Sequence, residues 1–247
     1  MLAWINFLTH LLNHWFASPL DLLLGKLGIH PANPSHPIGN TLTLELIVFA
    51  LLAVFFLLVR LRLSVEKPGN AQHLAEMVHE FVAGQAEQVM GHNYDKFLPV
   101  LTCLPLFILL CNCFGLFPGV DTPTANPSVP LGLAIFTFVY YNWYGVTTQG
   151  PIHYLKHFMG PVLWLAPLMF PIEIISNLAR VMSLTVRLYA NMFASDLLTL
   201  VFFSLIPPAI PIIFLGLHFG VAVIQSYIFM LLTMIYLAEA TAKPEHH

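Results

Sequence analysis

Residues 171–200 read PIEIISNLARVMSLTVRLYANMFASDLLTL, a stretch with the length and apolarity of a membrane helix that nevertheless holds Glu173, Arg180, Arg187 and Asp196. An arginine at the centre of a bilayer costs roughly 2.5–3.5 kcal/mol on insertion scales, so it signals a function or a neutralising partner. The chemistry lies in the contrast between these groups. A guanidinium does not deprotonate in proteins; Arg187 therefore cannot carry a proton, but it can hold a nearby carboxylate ionised and block straight passage. Asp, Glu and His can take up and release protons along water-lined paths. With roughly 100° of rotation per residue and Arg187 at zero, Glu173 falls near +40°, Ser176 near −20°, Arg180 near +20°, Ser183 near −40° and Asn191 near +40°. One helical stripe thus carries most of the polar groups. Ala190 and Ala194 lie on the same side, and small residues around a charge let another helix approach closely. Asp196 falls on the back of the helix.

A second polar set follows. From Leu197 to Ala238 there is no Asp, Glu, Lys or Arg, so His218 and Gln225 stand out. They are seven residues apart and share a helical face, with Tyr236 and Glu239 within about 40° of Gln225. Gly216 and Gly220 bracket His218 as G-x-x-x-G, a spacing that permits close backbone contact. Pro207, Pro208 and Pro211 break the apolar run, which joins the two segments as a hairpin. Asp196 and His218 then lie near the break, Glu173 and Glu239 far from it, and Arg187 and Gln225 between. Titratable groups near each surface, separated by a group that cannot titrate, describe two half-paths for protons with a carrier needed between them. The chain offers no free acid beside Arg187, so the carrier is expected on a partner.

Other readings stand beside this one. Pairing of Arg187 with Glu173 or Asp196 inside one straight helix fails on distance, at about 21 Å and 13 Å along the axis. Asp196 and His218 could pair simply to hold the hairpin, Glu173 could be structural, Gln225 could be an interhelical hydrogen bond, Glu239 could reach the inner interface, and Arg180 could snorkel to the surface.

The elements that must position these groups follow from composition. The chain has 247 residues, 58% hydrophobic and 9% charged, with a net charge of −3; that is a polytopic, all-α integral membrane protein, and nothing in it points to nucleic acid. Cys103, Cys111 and Cys113 lack metal-site spacing and read as small buried hydrophobes. Residues 1–40 divide from 41–247: an interfacial segment, then a proline-rich linker at 30–37, then one membrane domain. Helices are expected over about 42–61, 97–117, 129–150, 163–206 and 212–240, five in all. Residues 70–90 place Leu74, Met77, Val78, Phe81, Val82 and Val89 on one face, an amphipathic helix for the membrane surface or a partner, with Asn70 and Gly91 as caps. Arg60, Arg62 and Lys67 after the first span, and Lys156 and Lys243 later, put the N-terminus outside and the C-terminus in the cytoplasm.

Residues 180–196, RVMSLTVRLYANMFASD, resemble the signature of the a subunit of F-type ATP synthases, and 218–237, HFGVAVIQSYIFMLLTMIYL, resemble that family's last helix with the same His-to-Gln spacing. The likeness covers roughly residues 40–242 in layout and is strongest in the last third. It implies a long tilted helical hairpin against a ring of c subunits, in a membrane stator subunit that is not itself catalytic. Arg187 matches the essential arginine facing the ring carboxylate; Asn191, Asp196, His218 and Gln225 match its polar partners, and Glu173 the acid of the inner channel. Further implied partners are the b subunits of the peripheral stalk, the remaining synthase subunits, the lipid bilayer and protons, with no cofactor. Val181 stands where the family often has Pro, and Ala190 where it often has Gly. A histidine on the last helix with an acid after the arginine is the bacterial arrangement, which implies a bacterial plasma membrane. The alternative from another class is a self-contained proton-coupled secondary transporter; its expected mark, repeated halves, is missing from the sequence.

Overall fold

A computed structural model describes residues 3–14, 39–64, 69–91, 94–117, 120, 122–150, 166–205 and 209–241. The chain is all helical there. A first helix, α1, spans 3–14. It is followed by α2 (Asn40–Leu61), α3 (Asn70–Met90), α4 (Leu98–Cys113), α5 (Ser128–Gln149), α6 (Ala166–Leu205) and α7 (Ala209–Thr241), with single 3₁₀ turns at Phe114–Leu116 and Pro123–Ala125. The proline-rich linker, Lys67, Asp121, Lys156, Pro207, Pro208 and Lys243 lie outside the described residues.

All five expected long helices form. Four of them, at Asn40–Leu61, Leu98–Leu116, Pro167–Phe202 and Ile212–Thr241, are long and apolar enough to cross a membrane. The fifth, α5, has 22 residues, but Tyr140, Tyr141, Asn142, Trp143 and Tyr144 make it more polar than the others. At 40 residues, α6 is about 60 Å long. That is about twice the hydrocarbon thickness of a bilayer, so an upright helix would project well beyond it, whereas an inclined one can lie within it. The neighbouring α7, with 33 residues, has the same constraint. The two run as a hairpin, and Phe202 stacks on Phe214 near its closed end at 3.9 Å between ring centroids.

Two apolar clusters hold the hairpin to the rest. One joins Val82 and Ala86 of α3, Leu98 and Leu101 of α4, Tyr141 of α5 and Met230, Met234 and Leu237 of α7. The other joins Leu104 and Ile108 of α4, Ala134 of α5, Val181, Leu184, Leu188 and Met192 of α6, and Phe229 of α7. Thus α4 and α5 form a backing layer, and α6 leans on it by one face. Pro105 lacks the N–H that would reach the Leu101 carbonyl inside α4, and Ser226 Oγ of α7 donates to the carbonyl of Pro105 itself, a helix–helix contact at the proline.

Two local expectations change. The apolar face of α3 splits: Val78, Val82 and Val89 pack inward, whereas Leu74, Met77 and Phe81 remain exposed. The helix is therefore docked on the core by part of its apolar face, with Tyr227 of α7 donating to Gln85 Oε1 at 3.0 Å. Its N-cap is Gly69, not Asn70; Gln72 in the first turn exchanges hydrogen bonds with the Ser64 backbone, which fixes the start one residue early. Gly91 does end the helix, at φ +67°, where a residue without Cβ is favoured. Among the cysteines only Cys111 is fully buried, with Cys103 exposed. The N-terminal helix is tied to α2 through Thr9, which bonds to the side chains of Asn40 at 3.0 Å and Thr43 at 2.9 Å.

Candidate functional site

The polar residues of α6 and α7 fall into three groups along the hairpin, named outer, middle and inner in order from its closed end to its open end. The outer group surrounds His218, whose side chain is fully buried. Its Nδ1 lies 2.8 Å from Ser195 Oγ and 3.5 Å from Asp196 Oδ1, and its Nε2 lies 3.1 Å from the Asn112 carbonyl oxygen. Asp196 is held from the other side by Thr122, whose hydroxyl donates to Oδ1 at 2.8 Å and whose backbone N–H donates to Oδ2 at 3.4 Å. Thr124 donates its hydroxyl to Asn112 Oδ1. Four chain segments therefore converge on one imidazole.

Gly115 makes that convergence possible. A Cβ at this position would stand 2.0 Å from Thr122 Oγ1 and 2.7 Å from His218 Nε2, closer than any side chain can approach. Next to the group is an open cavity of about 460 Å³ lined by Thr41, Thr122, Asn126, Phe193, Asp196 and Leu200, among others. Asp196 faces this cavity, and His218 sits behind it.

The middle group is Arg187, Asn191 and Gln225. Leu184, Leu188 and Met192 turn into the core, and the 3.6-residue period of the helix therefore turns Ser183, Ala190, Asn191 and Ala194 outward, all of them exposed. Arg187 is half-buried on this outward face. Its one hydrogen bond among the described residues is a long one, from Nη2 to Ser183 Oγ at 3.4 Å. The ion pairs of the described residues involve His73, Arg180 and His218; none involves Arg187. Asn191 Nδ2 donates to Gln225 Oε1 at 2.8 Å, and Gln225 is itself buried. The amide pair thus crosses from α6 to α7 one turn beyond the guanidinium.

The inner group is built on α5, α6 and α7. Asn177 Nδ2 donates to the Glu173 carbonyl at 3.0 Å and to its Oε1 at 3.3 Å, while Asn177 Oδ1 accepts from the Tyr141 hydroxyl at 2.9 Å. Arg180 Nη2 pairs with Glu239 Oε1 at 2.9 Å, and its guanidinium lies over the Tyr236 ring at 5.1 Å. Arg180 therefore does not snorkel outward; it clamps α6 to α7.

All seven expected site residues lie on the hairpin, but the structure divides them. Asp196 joins His218, Asn191 joins Gln225, and Glu173 and Glu239 sit in adjoining contacts of the inner group. Arg187 meets none of the acids. Sequence reasoning missed Asn112, Gly115, Thr122, Thr124 and Ser195 in the outer group, and Tyr141 and Asn177 in the inner one. Asn112 within an apolar helix was a readable signal; the turn residues carried none, because their role depends on where α4 ends.

Comparison with known proteins bears on the same segments. The ATP synthase A chain family matches residues 42–238. The chain is 49% identical over 234 residues to ATP synthase subunit a of Koribacter versatilis, covering 95% of this chain and 96% of that protein. It is 45% identical over 230 residues to ATP synthase subunit a of Solibacter usitatus, covering 93% and 98%. With ATP synthase subunit a of Campylobacter jejuni the identity is 40% over 200 residues, covering 80% and 88%. An all-helical membrane architecture, a charged hairpin and matches over nearly the whole chain give one answer: the chain belongs to the ATP synthase subunit a family.

Proposed function

We propose that this subunit is the non-catalytic stator through which protons reach and leave a rotating ring of c subunits, by two half-paths that Arg187 keeps apart. The observation that carries the reading is Arg187 itself, a permanent cation on the outward face of α6 with no carboxylate partner among the described residues. A cation left so in a membrane helix needs an acid from elsewhere, and the small, exposed Ala190 and Ala194 beside it leave room for another helix to come close. A carboxylate carried past by the ring is that acid.

A proton from the outer side enters the cavity beside Asp196 and is passed along the outer group toward the Asn191–Gln225 pair. There it neutralises the ring carboxylate, which can then leave Arg187 for the lipid. An incoming protonated carboxyl group releases its proton toward Glu173 and, at the inner interface, Glu239. Ionised again, it is attracted to Arg187, by about 4 kcal/mol at 4 Å for an effective dielectric of 20. Because a guanidinium takes no proton at physiological pH, nothing crosses between the half-paths except on the ring. The b subunits and remaining synthase subunits hold the assembly in a bacterial plasma membrane, with the N-terminus outside and the C-terminus in the cytoplasm. Residues 41–247 act as one membrane domain. No cofactor takes part.

The test is cysteine crosslinking. Cysteines at Arg187, Asn191 and Ala194, one at a time, are paired with cysteines beside the acidic residue of a co-purified c-type subunit. Crosslinks at these positions, absent at Thr185 on the opposite face, are the expected result. No crosslink, in a preparation lacking any small proteolipid partner, would replace this reading by a self-contained transporter.

A further inference from the structure

The geometry points to His218 as a proton store that exchanges through one nitrogen only, with Gly115 and the Asn112 peptide as its positioning elements. A peptide carbonyl can accept a hydrogen bond but not donate one. The 3.1 Å contact between Asn112 O and Nε2 therefore puts a hydrogen on Nε2. In the neutral ring Nδ1 then carries the lone pair, directed at the Ser195 hydroxyl and toward Asp196.

This tautomer has a consequence for transfer. A proton arriving from the Asp196 carboxyl breaks an O–H bond and forms N–H at Nδ1, leaving an imidazolium between a carboxylate and a peptide oxygen. To pass through the ring it would have to depart from Nε2 into the Asn112 carbonyl, which does not take up a proton at physiological pH. It can only return from Nδ1. The route thus runs past Asp196 and Ser195, and His218 lends and recovers a proton at its side. From α6 the titratable group facing the ring is Asp196; α4 and the two 3₁₀ turns present a peptide oxygen, Gly115 and threonine hydroxyls. Among the described residues Asp196 is the one carboxylate within ion-pair distance of the imidazole. Gly115 fixes the ring's position, because any side chain there collides with both Nε2 and Thr122. The transport role rests on the function proposed above, whereas the tautomer stands apart from it.

The experiment uses the whole ATP synthase labelled with ¹⁵N-histidine in lipid, with the His218 signals identified by their loss in His218→Gln. Magic-angle-spinning NMR across a pH series should show Nε2 protonated throughout and only Nδ1 changing state. A neutral ring with its hydrogen on Nδ1 would overturn the proposal. Gly115→Ala should disturb the Nε2 signal and slow, without abolishing, passive proton conduction by the membrane sector, because the ring it displaces lies beside the route. Unchanged spectra and conduction in an assembled Gly115→Ala complex would also overturn it. If that variant does not assemble, the wild-type spectrum alone decides. A locked Nε2–H combined with failed ring crosslinking would reject the stator reading while leaving the tautomer intact.

Discussion

Replacing Arg187 with Ala separates stability from function. Arg187 has a 3.4 Å hydrogen bond to an exposed Ser183 and no ion pair among the described residues. Losing such a contact changes stability by no more than about 0.5 kcal/mol. The packed side of α6, formed by Leu184, Leu188 and Met192, is untouched, so the variant should assemble in normal amount. The functional loss is of another size. At 4 Å and an effective dielectric of 20, the guanidinium favours an ionised partner carboxylate by about 4 kcal/mol, and removing it lowers the ionised fraction by a factor of about 10³. A neutral carboxylic acid then passes the stator without exchanging its proton, and ATP hydrolysis no longer drives pumping. The assay is ATP-driven acidification of proteoliposomes containing the complete complex, with subunit content checked on the same preparation. Pumping at the wild-type rate by an assembled Arg187→Ala complex would refute the electrostatic gate. Loss of the subunit from the complex would refute the structural half of the reasoning, because it would mean that Arg187 holds the fold.

Two further expectations concern the groups on either side. Combined Asp196→Ala and His218→Ala should slow proton entry from the outer face more than Glu173→Ala alters it, measured as proton flux into proteoliposomes under gradients of each sign; equal effects would undo the division into outer and inner groups. The Arg180–Glu239 pair joins side chains that are 21% and 48% exposed, so a double-mutant cycle of Arg180→Met and Glu239→Gln should give a coupling of about 0.5–1 kcal/mol in thermal unfolding, weakening at high salt. Zero coupling at low salt would show that the clamp across α6 and α7 is only geometric.

The relation between sequence and site differs between the two halves of the problem. Helix positions were readable because each long apolar run satisfies its own backbone, and in hydrocarbon a helix is the only such solution for an isolated segment. The ends were less so: α4 stops at Cys113 and continues as a 3₁₀ turn only to Leu116, and Asn70 yields the cap of α3 to Gly69. Both outcomes depend on contacts with other segments. The stripe on α6 was also legible, since Arg187, Asn191 and Ala194 share a face by helical period alone.

Tertiary structure decided the partnerships. Asp196 lies on the back of its helix relative to Arg187 in both descriptions, but only the fold supplies Thr122 on one side of it and His218 on the other. These contacts span 74 and 22 residues of sequence and arise because the turns after α4 tuck beneath the hairpin. Arg180 reads as a surface charge until α7 delivers Glu239 and Tyr236 to it. Gly115 is one more residue near the end of an expected helix until two side chains from distant segments occupy the space a Cβ would need. The sequence by itself determined which residues could hold or move charge and on which helical face each one lies, because period and chemistry are local properties. Which of them meet was left to packing, because an ion pair or a hydrogen bond between helices exists only where buried apolar faces have already fixed the register of one helix on another.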